Sequence, residues 1–563
     1  MRPGCGSTSS ARRRRWRSSR ATASSPITGA ANTDRLRRAR QHREEIHEAS
    51  FMKRLAVAVL AAGTMAVAPA LAASGIDIVT HGVPGSVPAC LACHGLDGAG
   101  RPGGGIPRIG GLDAAYMRQQ FANAVSGARG NTVMVAIAKA LDPDAMTAVT
   151  DYYARQNPPA VAEDAPADAI ARGQRIAEHG VWSRGVPSCT LCHGAAGMGI
   201  GTHFPRLNGQ VASYIQTQLK DWQAGTRRGD PMGLMAGIAR KLTKADIADV
   251  AAYFAALPRL PALPAAVPAG EGQVGEGQAG EGQAGEGQAG SASGEGFVPP
   301  PDNAIPHGPF GDMVRLGLRI FDDPQRYAAD YTGNSLQCRN CHLDAGRLAN
   351  SAPLWAAYVA YPAWRAKNGH VNSFAERLQG CFRYSLNGKA PPLGDRTLLA
   401  VESYAYFLAT GAPTRTEMKG RGYPTPDKPA MPMDARRGAT VYAARCALCH
   451  GEDGQGQKTA AGAPGFPPLW GAQSFNWGAG MADIRNAAGF IKANMPLSQG
   501  GSLSGQEAWD LAMFIDTRER PQDPRFAGSV EETRAKYHEH GMSMYGQTMN
   551  GVVLGSAPLP PGH

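Results

Sequence analysis

Four copies of Cys-x-x-Cys-His constrain this 563-residue chain more than any other feature: Cys90–His94, Cys189–His193, Cys338–His342 and Cys446–His450. The spacing is the attachment signature of c-type haem. Two thiols form thioether bonds to the porphyrin, and the imidazole that follows takes one axial site on the iron. A structural zinc site needs four donors converging on one ion, and nothing in zinc chemistry requires a His directly after the second Cys in every copy. The expected cofactors are four covalently bound haem c. Cys90, Cys93, Cys189, Cys192, Cys338, Cys341, Cys446 and Cys449 would attach them, and His94, His193, His342 and His450 would ligate the irons.

The chain reads as two halves. Residues 258–301 are rich in Pro and Ala at both ends and repeat Glu-Gly-Gln-Ala-Gly in the middle, a composition that buries no core and acts as a tether. The first half is duplicated: Tyr116-Met-Arg-Gln-Gln-Phe aligns with Tyr214-Ile-Gln-Thr-Gln-Leu, Gly127-Ala-Arg with Gly225-Thr-Arg, and Met134-Val-Ala-Ile-Ala with Met235-Ala-Gly-Ile-Ala. Helix starts recur before the end of three units. Asp142-Pro143 supplies an N-cap and a first-turn Pro, and Thr243…Asp246 and Ser504…Glu507 have capping-box spacing. Units of about 90 residues carry little core without a prosthetic group. The expected fold is all-α, with four cytochrome c-type haem domains in two dihaem halves joined by a flexible linker. The boundaries are cytochrome c domains at 74–160 and 161–257, the linker at 258–301, a catalytic domain at 302–430, a fourth haem domain at 431–520 and a C-terminal tail at 521–563.

Met52 to Ala72 reads as a signal peptide: Lys53 and Arg54, an apolar core, then Ala70-Leu71-Ala72 before the cut. Export to the periplasm agrees with haem attachment, and no membrane span is expected in the mature form. Residues 1–51 have no such pattern and read as an extension from a mis-assigned start. They carry much of the charge: 1–50 hold 12 Arg against four acids, and Lys53 and Arg54 add two more positives to a chain total of +11. The exported part is therefore near neutral, which gives no argument for nucleic-acid binding.

The sixth ligands separate the domains. Met134, Met235 and Met495 follow their motif histidines by 40, 42 and 45 residues, each before a C-terminal helix, and are the expected axial partners; Met232 and Met481 are local competitors. No Met lies between His342 and Met418, but Cys381 stands 39 residues after His342. Of ten cysteines, eight belong to the motifs and Cys5 lies before the signal, so Cys381 is the one left over. It is the expected thiolate ligand of the third haem, with His370 as rival. A thiolate favours the ferric state and is itself a nucleophile toward sulfur. Arg365, Lys367, Arg377, Arg383 and Lys389 make the segment cationic, and paired guanidinium hydrogen bonds suit oxyanions. Arg377 and Arg383 flank Cys381 most closely. A small sulfur oxyanion fits both features.

On these residues the second half resembles the tetrathionate-forming thiosulfate dehydrogenases, dihaem enzymes of the bacterial periplasm. The resemblance is carried by Cys338-Arg-Asn-Cys-His342, Arg377-Leu-Gln-Gly-Cys381-Phe with Ser385-Leu-Asn-Gly after it, Cys446-Ala-Leu-Cys-His450 and Asn494-Met495-Pro496. It implies His342/Cys381 ligation at the catalytic haem, His450/Met495 at the next, and oxidation of two thiosulfate to tetrathionate. Some members carry a Lys beside that Met which can swap onto the iron; Asn494 stands here instead. The first half is similar to dihaem cytochromes of the c4 type, which accept electrons from this family. The resemblance implies an acceptor fused to its enzyme, with a small cytochrome or terminal oxidase downstream. The residues also leave open tetrathionate reduction at the same site, another thiolate-haem sulfur enzyme, and a plain electron carrier in which Cys381 is replaceable.

Overall fold

A computed structural model describes residues 74–161, 163–257, 296–414, 416–459, 462–539 and 542–560. The expected leader, the segment before it and most of the linker lie outside the described residues. One construction recurs four times. The first helix of a domain crosses its last: Gly75–His81 with Pro143–Ala154, Ala167–His179 with Lys244–Ala256, Pro309–Asp322 with Arg396–Leu408, and Ala435–Arg445 with Gly505–Asp516. Each crossing turns on one glycine. A Cβ added at Gly75, Gly173, Gly317 or Gly438 would lie 2.3, 2.0, 2.0 or 2.0 Å from the carbonyl oxygen of Ala148, Asp249, Ala400 or Asp510. Glycine inside a helix costs about 1 kcal/mol relative to alanine, and here that cost lets two backbones touch.

The start signals act as the sequence predicts. Asp142 accepts from the Ala145 amide, with Pro143 in the first turn. Thr243 with Asp246, and Ser504 with Glu507, form reciprocal capping boxes. The duplicated helices Ala114–Val125 and Ala212–Ala224 meet through their shared residues. Arg129 and Arg227 form an antiparallel bridge, Arg129 donates to the Tyr214 hydroxyl, and Arg227 Nη2 donates to the Tyr116 hydroxyl at 3.4 Å.

The third domain departs from the others after its motif. A hairpin, Ala363–Arg365 paired with His370–Asn372, leads into the helix Phe374–Gly380, which Ser373 and Glu376 cap reciprocally. A single π-turn, Cys381–Ser385, follows. The tail folds back on this domain, and Tyr545 and Leu554 enter its core. The first and second halves also touch. Lys241 Nζ donates to the Ser498 carbonyl at 3.2 Å, Gln499 Nε2 donates to the Met232 carbonyl at 3.0 Å, and the Phe204 and Phe466 rings lie 4.9 Å apart. Among the described residues no helix is long and apolar enough to cross a membrane.

Candidate functional site

All four motif histidines are held the same way. The Nδ1 atoms of His94, His193, His342 and His450 lie 3.1, 2.8, 2.7 and 3.0 Å from the carbonyl oxygens of Pro107, Pro205, Ala352 and Pro467. A carbonyl accepts only, so each ring carries its proton on Nδ1 and leaves Nε2 as a lone-pair donor. Burial pushes all four imidazoles toward the neutral form, His342 to about 4. His193 Nε2 is buried with no hydrogen-bond partner in the protein. A polar atom so placed is costly unless something ligates it, and iron of a thioether-attached haem fits.

A cavity of about 670 Å³ runs along the second and fourth motifs. Cys189, Cys192, His193 and Met235 line one part, and Cys446, Cys449, His450 and Met495 line another; it reaches Arg339 and Cys341 of the third motif. Met235 and Met495 therefore share a cavity with the histidines they are expected to oppose. Their competitors Met232 and Met481 line it too. Only Met235 of the first pair packs on the second domain's core. Met134 sits half-buried in the helix Thr132–Ala140, its amide held by Asn131.

Cys381 begins the π-turn, half-buried beside Cys338 and Cys341, whose thiols it pushes further up after burial. Arg377, one helical turn earlier, places Nη1 3.2 Å from Cys381 Sγ. The sulfur next to it is the main reason the Arg377 guanidinium is held more firmly charged than usual. Arg365 and Lys367 come from the hairpin. Arg365 Nη1 donates to the Tyr361 hydroxyl at 2.7 Å. Lys367 donates to the Gly478 carbonyl, with Nζ 3.8 Å from the centre of the Tyr384 ring. Burial lowers Lys367 to about 7, and Arg525, Arg377 and Arg365 push the same way against Asp523.

One expectation changes. Arg383 is not brought to this cluster. It is exposed, two residues along the π-turn from Cys381, and its carbonyl rather than its guanidinium is engaged, by Asn476 Nδ2 at 3.0 Å. A spacing of two turns a helical side chain away, whereas the spacing of four that separates Arg377 from Cys381 keeps two on one face. The rival ligand His370 is exposed on the hairpin, with Nε2 3.1 Å from Glu376 and 2.9 Å from Asn372 and Nδ1 3.2 Å from the Asn368 carbonyl, so both ring nitrogens are engaged. Asn494, next to Met495, is buried and donates to the Asn350 and Phe490 carbonyls, both at 3.1 Å. The sequence reading missed Tyr384, Tyr423, whose hydroxyl donates to the Cys341 carbonyl at 3.4 Å, and the tail residues Asp523, Arg525 and His538. Tyr384 is one turn from Cys381 and could have been found by spacing. The tail residues have no local signal.

Comparison with known proteins follows the same division. Residues 170–258 match the cytochrome c family, and residues 433–515 match the family described as cytochrome C oxidase, cbb3-type, subunit III. Over 268 residues, 48% of this chain and 85% of the relative, the sequence is 57% identical to a thiosulfate dehydrogenase of Thiomonas intermedia (strain K12). Over 163 residues, 29% of this chain and 75% of the relative, it is 42% identical to a thiosulfate dehydrogenase electron acceptor of the same organism. The solved structure of a thiosulfate dehydrogenase (TsdBA) from Marichromatium purpuratum matches with a TM-score of 0.76 and 42% identity, covering 86% of this chain and 99% of that one.

Proposed function

Because the chain belongs to the thiosulfate dehydrogenase family, we propose that it oxidises two thiosulfate ions to tetrathionate at the Cys381 site, in the periplasm, and delivers the electrons to its own N-terminal half. The observation that carries this reading is the contact between Arg377 Nη1 and Cys381 Sγ at 3.2 Å, beside the thiols of the third motif. An anion-binding group and a sulfur nucleophile share one point, which a plain electron carrier does not need.

His94 with Met134, His193 with Met235, His342 with Cys381 and His450 with Met495 would hold four haem c, which would supply one-electron acceptors. The chain's own residues do the rest. Arg377, with Arg365 and Lys367 beyond it, holds a thiosulfate with its outer sulfur toward Cys381. A sulfur–sulfur bond forms between the Cys381 thiolate and that outer sulfur, with loss of two electrons. The outer sulfur of a second thiosulfate attacks the sulfur bound to Cys381. Tetrathionate leaves and the thiolate is restored, so two dianions become one dianion and two electrons. No proton is required by the overall reaction. Guanidinium charge offsets the repulsion between the two dianions as they meet. The cavity shared by the second and fourth motifs, lined by Phe204 of one half and Phe466 of the other, supports direct transfer between the halves without diffusional docking.

The test is steady-state thiosulfate oxidation with ferricyanide, comparing the purified protein with Cys381→Gly carrying four haems. Activity in the first and none in the second is expected. Unchanged activity in the variant removes Cys381 from the reaction. Inactivity of both favours the reverse reaction or the carrier reading.

A further inference from the structure

The segment after Arg520 contributes no motif histidine and no cysteine, yet three of its side chains surround the lysine of the proposed substrate site. Asp523 is fully buried. It accepts from Arg525 Nε at 3.0 Å, Arg525 Nη2 at 2.6 Å and the Arg525 amide at 2.9 Å, and its Oδ2 lies 3.0 Å from His538 Nε2. Burial works the other way, but the bonds from His538 and Arg525 hold this carboxyl well below the usual carboxylate range. His538 in turn stacks on Tyr545, ring centres 4.2 Å apart, and Tyr545 donates to Gln522 at 2.8 Å.

This clamp leaves Arg525 one posture. Its guanidinium carbon lies 5.3 Å from the centre of the Tyr384 ring and 4.2 Å from that of Tyr537. Lys367 lies on the same Tyr384 ring at 3.8 Å. The peptide that takes the lysine's hydrogen bond is wedged in the same place: a Cβ on Gly478 would be 2.5 Å from Tyr384 and 2.9 Å from Asp523 Oδ1. The charged groups facing Lys367 are Arg365 on its own hairpin, Arg377 on the helix before Cys381, and Arg525, Asp523 and His538 from the tail. Three guanidinium groups oppose one carboxylate, and Arg525 already occupies that carboxylate.

We propose that Arg525, clamped by Asp523 and His538 against the ring that carries Lys367, is a positioning residue whose charge opposes a proton on Lys367 Nζ, so that above neutral pH thiosulfate binding draws one proton from solvent onto that nitrogen. Two substrate dianions bring twice the negative charge of the product, and the proton returns to solvent when tetrathionate leaves. The inference rests on the substrate reading of the Cys381 site.

The test uses the four-haem protein and the pH dependence of KM for thiosulfate between about pH 5.5 and 8.5. In the wild type KM rises by up to about tenfold per pH unit above a midpoint near neutrality, because the neutral lysine no longer attracts the anion. Arg525→Gln raises that midpoint by about half a pH unit or more, since it removes a like charge. Asp523→Asn lowers it. Haem absorption and kcat are unchanged in Arg525→Gln. Arg525→Lys returns the midpoint toward the wild-type value and keeps the test valid if the Asp523 variant does not fold. Lys367→Arg, which stays charged, gives a flat KM and abolishes the proton uptake seen on adding thiosulfate in weak buffer. A midpoint unmoved in Arg525→Gln, or moved the same way by both tail variants, overturns the inference while the substrate reading stands. So does a pH limb that survives in Lys367→Arg. A wild type that does not oxidise thiosulfate sinks the substrate reading and this inference with it.

Discussion

Glycine follows the motif histidine in the first, second and fourth domains, and Gly95, Gly194 and Gly451 have φ of 83°, 79° and 78°. In the third domain Leu343 stands there, and the left-handed turn moves onward to Asp344 and Ala345, with φ of 52° and 47°. For residues with a side chain that turn costs of order 1 kcal/mol each. The carbonyl that orients the histidine changes with it, from a proline in three domains to Ala352 in the other. The glycine-mediated helix crossing does not change. The four domains therefore keep one scaffold and differ in the loops around the porphyrin. Three of these loops are expected to end on a methionine. The loop of the third domain carries Cys381 instead and brings the Arg377 guanidinium with it.

The largest effect should come from making the odd loop like the others. Cys381→Met is expected to lower kcat/KM for thiosulfate by at least ~10³-fold, because the reacting sulfur is gone. Four haems stay attached, and the potential of the third rises, as a thioether replaces a thiolate. Spectroelectrochemical titration beside the activity assay checks both halves of that statement. Retained turnover would mean that the difference between the loops is electronic tuning alone.

Removing the guanidinium while keeping the sulfur should cost less. Arg377→Met is expected to lower kcat/KM by about 10²-fold, the scale of one charge-assisted contact to a reacting anion. Arg377→Lys should recover part of this loss, since it restores the charge without the fork. An Arg377→Met enzyme with wild-type kinetics would leave the third site with a ligand but no anion cradle.

A smaller effect tests the shared scaffold. Gly317→Ala places a Cβ 2.0 Å from the Ala400 carbonyl oxygen, and either helix must shift. Overpacking of this kind costs about 1–3 kcal/mol, read as a fall of several degrees in the melting midpoint of the haem-loaded protein. Gly173→Ala should behave alike, against Asp249. Unequal losses would show that the third domain relies on its tail, through Tyr545 and Leu554, where the second relies on its crossing.

Much of this was legible because the signals are local. The motifs, the caps at Asp142, Thr243 and Ser504, and the spacing of Arg377 from Cys381 all lie within a few residues of what they act on. The missing methionine was legible by contrast with three domains that have one. The crossing glycines were not, because the distance from each glycine to its motif differs from domain to domain, and only packing brings them into register. Arg525 was not legible either. Nothing in residues 521–545 marks them as neighbours of a hairpin more than a hundred residues earlier, and the link is a tertiary stack on Tyr384.

The smallest expected effect belongs to the residue that proximity in sequence favoured. Arg383 is as near to Cys381 in the chain as any cation, but it is exposed, and the hydrogen bond from Asn476 goes to its backbone carbonyl. Arg383→Gln leaves that bond intact and removes only a charge screened by solvent. Its kcat and KM should stay within about twofold of wild type, the range of ordinary surface substitutions, when measured beside Arg377→Met in the same assay. A loss in Arg383→Gln as large as that in Arg377→Met would mean that the π-turn reorganises when substrate binds and turns its outer face inward. The comparison between the loops would then have to be drawn on the substrate-bound state.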